Sequence, residues 1–382
     1  MPTAEDNVSV SVFAKTDTGL QRSGNEDAFL VADLTTGKSG LGPEMSTHKI
    51  GERGSLMIVS DGMGGAAGGE IASNLAVKTI REKLQFLNPD LGITEQISEA
   101  IDSANKTIWD FAVANPQLAG MGATLTAVLV NKTIAFIAHV GDSRAYLIRG
   151  DQIKQLTKDQ SYVQWLIDAG AIKPEQAASI PQNVIMQALG ANPTVQPELI
   201  AVDLSQGDCL LLCSDGLSNK VDEAEIKQMV ITSASLTLAC KKLVGLANDR
   251  GGEDNITVVI ARFDGNALHS AADSNSITGS FKVLKQPSRD YGHTTAADEV
   301  EPLSPKDAGR GPASEPTTMV FESSQPGLKL EETVALGVQD QQPKAPPTRK
   351  GKWGYLLWAL GLLGLLGLIG ILWLAYLFRF FG

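Results

Sequence analysis

TLTAVLVNKTIAFIAHVGDSRAYLIRGDQIKQL, residues 124–156, decides the fold. Thr124 to Val130 and Thr133 to Val140 are apolar runs separated only by Asn131-Lys132, short enough for a tight hairpin. Ser143 to Arg149 follows Gly141-Asp142, and Gly150-Asp151 marks another turn into Gln152 to Leu156. Strands joined by such short turns are antiparallel, because a parallel crossover needs about a dozen residues. Upstream, Val8, Val10 and Val12 alternate as a half-buried strand does. Helical periodicity comes in pairs on either side, at about 69–87 and 94–114, then at 222–231 and 235–248. Hairpins in the middle with helix pairs outside predict an α+β fold, helices covering antiparallel sheets. Residues 160–178 read as short helices in a long excursion between strands, a device that often covers an active site. Residues 34–54 read as a long loop, with His48 in it exposed to solvent.

The periodic region runs from 8 to 264, after a polar tail at 1–7 that has no secretory core. Residues 265–352 hold nine of the 17 prolines and much Ser, Thr, Glu and Gln. Such a segment cannot bury enough apolar surface to order itself, and it reads as a tether with a mean reach of about 50 Å. Thr317, Thr318 and Thr333 lie beside acidic residues in it and are candidate phosphorylation sites. Residues 353–378 carry no charge over 26 positions, whereas about 20 suffice to cross a bilayer. Trp353, Tyr355 and Trp358 mark one edge and Trp373, Tyr376 and Phe378 the other, as aromatic belts do. Arg349, Lys350 and Lys352 precede this stretch and Arg379 alone, in the short tail 379–382, follows it. That bias expects a single-pass membrane protein with 8–264 in the cytoplasm. Net charge −11 argues against a nucleic-acid partner. Three cysteines without zinc-type spacing fit a reducing compartment and no disulfide framework.

The chemistry gathers at strand ends. Leu56 to Val59 ends in Ser60-Asp61-Gly62, and Cys209 to Cys213 ends in Ser214-Asp215-Gly216. Asp142 follows one strand run, and Asp254 precedes another, Ile256 to Phe263. If those ends converge, four carboxylates raise one another's pKa. Divalent cations relieve that repulsion, and all-oxygen ligation suits magnesium or manganese. Gly62, Gly64 and Gly65 let a backbone carbonyl approach a ligand closely. The phosphate-loop reading of Gly62 to Gly69 fails for want of the closing Lys and Ser or Thr, and Ala67 breaks the dinucleotide spacing.

These pieces together resemble the metal-dependent protein serine/threonine phosphatases of type 2C, in their bacterial form. The resemblance spans about 8 to 264 and rests on seven elements in order. They are Arg22 with Asn25-Glu26-Asp27, Asp61 to Gly65, Met121 to Thr126, Val140 to Arg144, Leu156 to Asp159, Ser214 to Leu217, and Asp254 to Thr257. It implies a four-layer α-β-β-α sandwich of two antiparallel sheets flanked by helices. It implies two Mn2+ or Mg2+ ions bridged by Asp61, with Asp215 and Asp254 on the first, the Gly62 carbonyl on the second and Glu26 acting through water. A third, weaker ion would use Asp142 and Asp215, and Asp27 and Asn255 would support the ligands from behind. Arg22 would grip the phosphoryl oxygens with its planar fork. The paired ions would make a water nucleophilic near neutral pH. The expected substrates are phosphoserine and phosphothreonine of cytoplasmic proteins at the membrane, with serine/threonine kinases as plausible partners. Two departures stand out. Met63 replaces the His of animal members and cannot donate a proton, and Gln160 stands where the family often has His. Asp159 then reads as a structural residue, and His139 as a satisfied core histidine. A silent binding domain, or a hydrolase of small phosphate esters, are the rival functions.

Overall fold

The two central hairpins go to different sheets, and the chain on either side of them completes both. The computed structural model describes residues 7–284 apart from 41–45, 66, 87, 89, 182, 183, 271–276, 278 and 279. The chain divides into Met1–Leu303 and Ser304–Gly382, and the second unit lies wholly outside the described residues. So do the expected membrane span 353–378 and most of the expected tether. Among the described residues, no helix is long and apolar enough to cross a membrane.

The strands are β1 (Ser9–Asp17), β2 (Asp27–Asp33), β3 (Thr47–Lys49), β4 (Ser55–Met63), β5 (Gly122–Ala123), β6 (Leu125–Asn131), β7 (Ile134–Val140), β8 (Arg144–Arg149), β9 (Gln152–Gln155), β10 (Glu198–Asp203), β11 (Cys209–Cys213), β12 (Ile256–Asp264) and β13 (Phe281–Leu284). One sheet runs β3-β1-β12-β11-β8-β9 and the other β13-β10-β7-β6-β4-β2, with β5 added against β4. Every strand pairing is antiparallel.

Alternation sorts the side chains. Val10, Val12 and Ala14 of β1 meet Val128, Val130, Leu210, Leu212 and Val259 in a core shared by both sheets. The opposite face of the second sheet (Leu56, Ile58, Leu125) packs on α1 (Gly68–Leu84) and α2 (Ile93–Ala114). Ala72, Ala76, Ile80 and Leu84 recur every fourth residue and form the buried stripe of α1. On the other side, α5 (Glu223–Thr232) and α6 (Leu236–Asp249) cover Leu211, Val258 and Ile260. Between strands lie the short α3 (Tyr162–Asp168) and α4 (Asp215–Ser218). Caps fix the outer helices: Asp222 Oδ1 accepts from the Glu225 N–H at 2.9 Å, and Ser235 Oγ from the Leu238 N–H at 3.2 Å.

Three details differ from the sequence reading. Asn131 pairs with Ile134, so the central turn is Lys132-Thr133, one residue later, with Lys132 at φ 53°. The 34–54 region contains β3, whose His48 pairs with Val10, is half-buried, and shares a 3.0 Å hydrogen bond through Nε2 with Ser55 Oγ. A polar three-residue edge strand has no apolar period to announce it. The packed core also continues past Asp264. Leu268 and Ile277 are buried between the sheets, and β13 extends the second sheet alongside β10.

Candidate active site

The ends of β2, β4, β11 and β12 meet at one rim. Asp27 and Asp61 are paired across β2 and β4. A lattice of hydroxyls holds β4 where Asp61 leaves it. The Asp61 N–H donates to Thr124 Oγ1 at 2.8 Å, and the Thr124 N–H returns a bond to the Asp61 carbonyl at 2.8 Å. Ser60 Oγ donates to the Thr124 carbonyl at 2.7 Å, and Thr124 Oγ1 lies 2.7 Å from Ser143 Oγ. Ser214 does the equivalent work for Asp27, donating to its Oδ2 at 2.7 Å while accepting the Thr257 N–H at 2.9 Å. This serine ties the two sheets together behind the carboxylates. Gly141 turns the chain at φ +101°, where an added Cβ would stand 2.8 Å from Thr124 Cγ2, and delivers buried Asp142 to the same rim.

The loop from Thr18 to Glu26 is pinned by Asn255. Its Oδ1 accepts the Glu26 N–H at 2.7 Å, and its Nδ2 donates to the carbonyls of Thr18 and Gly24 at 2.9 and 3.0 Å. Glu26 thereby lies beside the start of α1, where Ser73 Oγ donates to the Glu26 carbonyl at 2.7 Å. A Cβ on Gly69 would come within 2.6 Å of both Glu26 Oε2 and the Gly62 carbonyl oxygen. Glycine at 69 therefore keeps these two oxygens side by side at a helix N-terminus, where partial positive charge favours an anion. Arg22, about half exposed, donates to Asp254 Oδ2 at 2.8 Å.

The electrostatics are one-sided. Burial, then the charges of Asp27, Asp215, Asp142 and Asp254, push the Asp61 carboxyl well above its ordinary range. Burial first, with Asp215 next, raises Asp142 to about 7. Burial raises Asp27 to about 7 against its hydroxyl and amide contacts, and raises Asp215, with Asp254 adding to it. Glu26 is raised by burial more than Arg22 lowers it. Asp27 Oδ1, Asp142 Oδ1 and Asp215 Oδ1 are buried with no hydrogen-bond partner.

All nine residues singled out by sequence thus gather at this rim: Arg22, Glu26, Asp27, Asp61, Gly62, Asp142, Asp215, Asp254 and Asn255. Among the described residues, no three acidic, histidine or cysteine side chains close on a single point as an ion cage; Asp254 instead reaches Arg22. In kind the donors fit a hard divalent ion, since all are oxygens and three are orphaned carboxylate oxygens. Sequence reasoning had Thr124 within the Met121 to Thr126 element but gave it no role, and it missed Ser73 and Gly69. The Ser that precedes Asp in both Ser-Asp-Gly triplets was a visible signal of the hydroxyl lattice.

The residues read as structural behave so. Asp159 takes Arg144 in a fork, at 2.9 Å from Nε and 2.6 Å from Nη2. His139 is buried between Thr126 Oγ1 and the Lys158 carbonyl, and burial lowers its pKa to about 4. The three cysteines are free and buried, and burial lifts Cys209 to about 11 and Cys213 and Cys240 to about 12. Such thiols are inert at neutral pH.

Residues 45–244 match the family described as Protein phosphatase 2C. A serine/threonine phosphatase, stp, of Listeria innocua is 38% identical over 210 residues, which is 54% of this chain and 83% of that protein. The crystal structure of the Mycobacterium tuberculosis serine/threonine phosphatase PstP/Ppp superposes with a TM-score of 0.58 at 35% identity, covering 67% of this chain and 99% of that one. A structure of the PstP catalytic domain in complex with two manganese ions gives 0.57 at 33% identity, over 67% of this chain and 99% of that one.

Proposed function

The chain belongs to the protein phosphatase 2C family, and from that premise we propose that it removes phosphate from phosphoserine and phosphothreonine by metal-assisted attack of water. One observation carries the reading: six buried or half-buried carboxylates gather at the rim whose lip carries Arg22, and three of their oxygens have no partner. Asp61, Asp215 and Asp254, the Gly62 carbonyl and Glu26 would hold two Mn2+ or Mg2+ ions, and Asp142 with Asp215 a third. When bound, such ions supply a nucleophilic water near neutral pH and neutralise phosphoryl charge.

The chain's own groups do the rest. The hydroxyl lattice of Thr124, Ser60 and Ser143 fixes the backbone that presents Asp61, so no reorganisation is needed at the moment of reaction. Arg22 stands at the exposed lip, where its fork can leave Asp254 and take two phosphoryl oxygens. Asn255 keeps Arg22 and Glu26 on one rigid loop. Met63 has no proton to give, and the buried thiols hold theirs too tightly, so none of them protonates the departing seryl or threonyl oxygen.

The full chain should release phosphate from a phosphothreonine peptide with manganese and stop in chelator. Asp61→Asn should fall to background with its fold intact by circular dichroism. Undiminished turnover in chelator, or in Asp61→Asn, overturns the mechanism. Comparing that peptide with sugar phosphates tests the small-ester alternative.

The reading extends to location. Residues 353–378 would anchor the chain in a bilayer with the catalytic region in the cytoplasm, near phosphorylated membrane proteins such as serine/threonine kinases. Tethering raises effective concentration for targets at the same surface. Deleting 353–382 should move the protein to the soluble fraction and slow dephosphorylation of membrane targets more than soluble ones. An unchanged distribution after deletion removes the anchor from the account.

A further inference from the structure

We propose that Gln160 is a positioning residue that couples the excursion 161–185 to the loop carrying Asp142. The inference rests on the protein phosphatase reading above. Gln160 holds Gly141, the neighbour of Asp142, from both sides. Its N–H donates to the Gly141 carbonyl at 2.7 Å, and its Oε1 accepts the Gly141 N–H at 2.9 Å. The same Oε1 accepts from Gln187 Nε2 at 3.0 Å, and the Gln160 carbonyl accepts the Met186 N–H at 2.7 Å. Gln187 is fixed in turn, because its Nε2 donates to the Gln196 carbonyl at 2.9 Å and its Oε1 accepts the Gln196 N–H at 2.7 Å. One amide side chain therefore joins three segments: the Asp142 loop, the entry to the excursion and the segment by which it returns.

Beyond this clasp the excursion is closed at its base by a short ribbon. Ser161 bridges Ile185, and the Tyr162 N–H donates to the Val184 carbonyl at 2.8 Å. Its outer side carries exposed Tyr162, stacked on Trp165 at 5.9 Å, with Val184 and Met186 also exposed. These apolar groups suit the residues flanking a phosphorylated Ser or Thr in a polypeptide. They have nothing to offer a bare aryl phosphate that reaches only the carboxylate rim. A polypeptide that engages them would be referred to the Asp142 loop through Gln160.

Limited chymotrypsin digestion and kinetics of the full chain test this. Chymotrypsin cuts after Trp165, exposed inside the excursion. Gln160→Ala should speed the appearance of the fragment ending at Trp165 about fivefold, the worth of about one hydrogen bond. The melting temperature should stay unchanged. The KM for a phosphothreonine peptide should rise by a similar factor, more than any change in turnover of p-nitrophenyl phosphate. Gln160→Glu keeps an acceptor oxygen for both N–H groups and should restore protection at Trp165. Unaltered cleavage in Gln160→Ala overturns the coupling. So does a loss of thermal stability in step with cleavage, or an equal loss of turnover on both substrates. The cleavage readout needs no activity, so it still decides if the phosphatase reading fails.

Discussion

This fold buries carboxylates in two places and treats them in opposite ways. Asp208 is wholly buried and fully paired: Arg149 Nε and Nη2 grip its two oxygens at 2.8 and 2.7 Å, and the Ser205 N–H donates to it at 2.7 Å. Arg149 spends its other hydrogens on the Asp203 carbonyl and Ser280 Oγ. At the rim, Asp27 and Asp142 are buried and Asp61 and Asp215 partly so, yet Arg22 sits at the lip and serves Asp254, and Arg144 is taken by Asp159. The fold can bring an arginine to a buried acid where stability asks for it. At the rim it gathers acids instead, which costs stability and leaves a place for cations.

Stability measurements can break that contrast. Arg149→Met should cost about 3–5 kcal/mol, because it strands Asp208 as a buried unpaired charge; urea denaturation measures it, and a loss under 1 kcal/mol would contradict the pairing. Manganese added to chelated protein should act in the stabilising direction, by about 2.7 kcal/mol at a hundredfold excess over its dissociation constant. A flat melting temperature across a manganese titration would mean that the rim holds no ion.

Acidity offers a finer probe. Asp27 and Asp142 titrate near pH 7 when folded and near 3.8 otherwise, and Asp61 is also raised. The folded state therefore binds more protons across that window, so stability falls as pH rises towards 7 and returns as pH drops. His139, lowered to about 4, works against this below its ordinary 6.5. Three raised acids outweigh one histidine, so chelated protein should melt higher at pH 5.5 than at pH 7.5. Saturating manganese should reverse the sign, since protons then compete with the ion. The smallest expected effect is in Asp61→Asn, which should gain about 1 kcal/mol in chelator by removing one repelling charge; calorimetry at pH 7.5 reads it, and a loss of that size would mean that the cluster is not strained.

The catalytic rim was legible because its chemistry is local in sequence. Each Asp adjoins a strand signal, and Ser-Asp-Gly appears twice, so the family's order could be followed from Arg22 to Thr257. The layers were legible because tight turns force antiparallel pairing and the helices show a clear stripe. What escaped depends on distant partners. His48 joins a strand only because β1 offers an edge, and Thr124 supports Asp61 from 63 residues away. Gly69 matters only because Glu26 and Gly62 come to it.

The segment beyond Asp264 has a practical consequence. Ile277 plugs the space between the sheets, Ser280 receives a hydrogen bond from Arg149, and Phe281–Leu284 occupies the free margin of β10. A fragment cut where the apolar rhythm fades would open that seam and leave unsatisfied backbone groups along β10, an invitation to intermolecular pairing. Recombinant versions ending at 264 should precipitate where those ending at 303 stay dispersed.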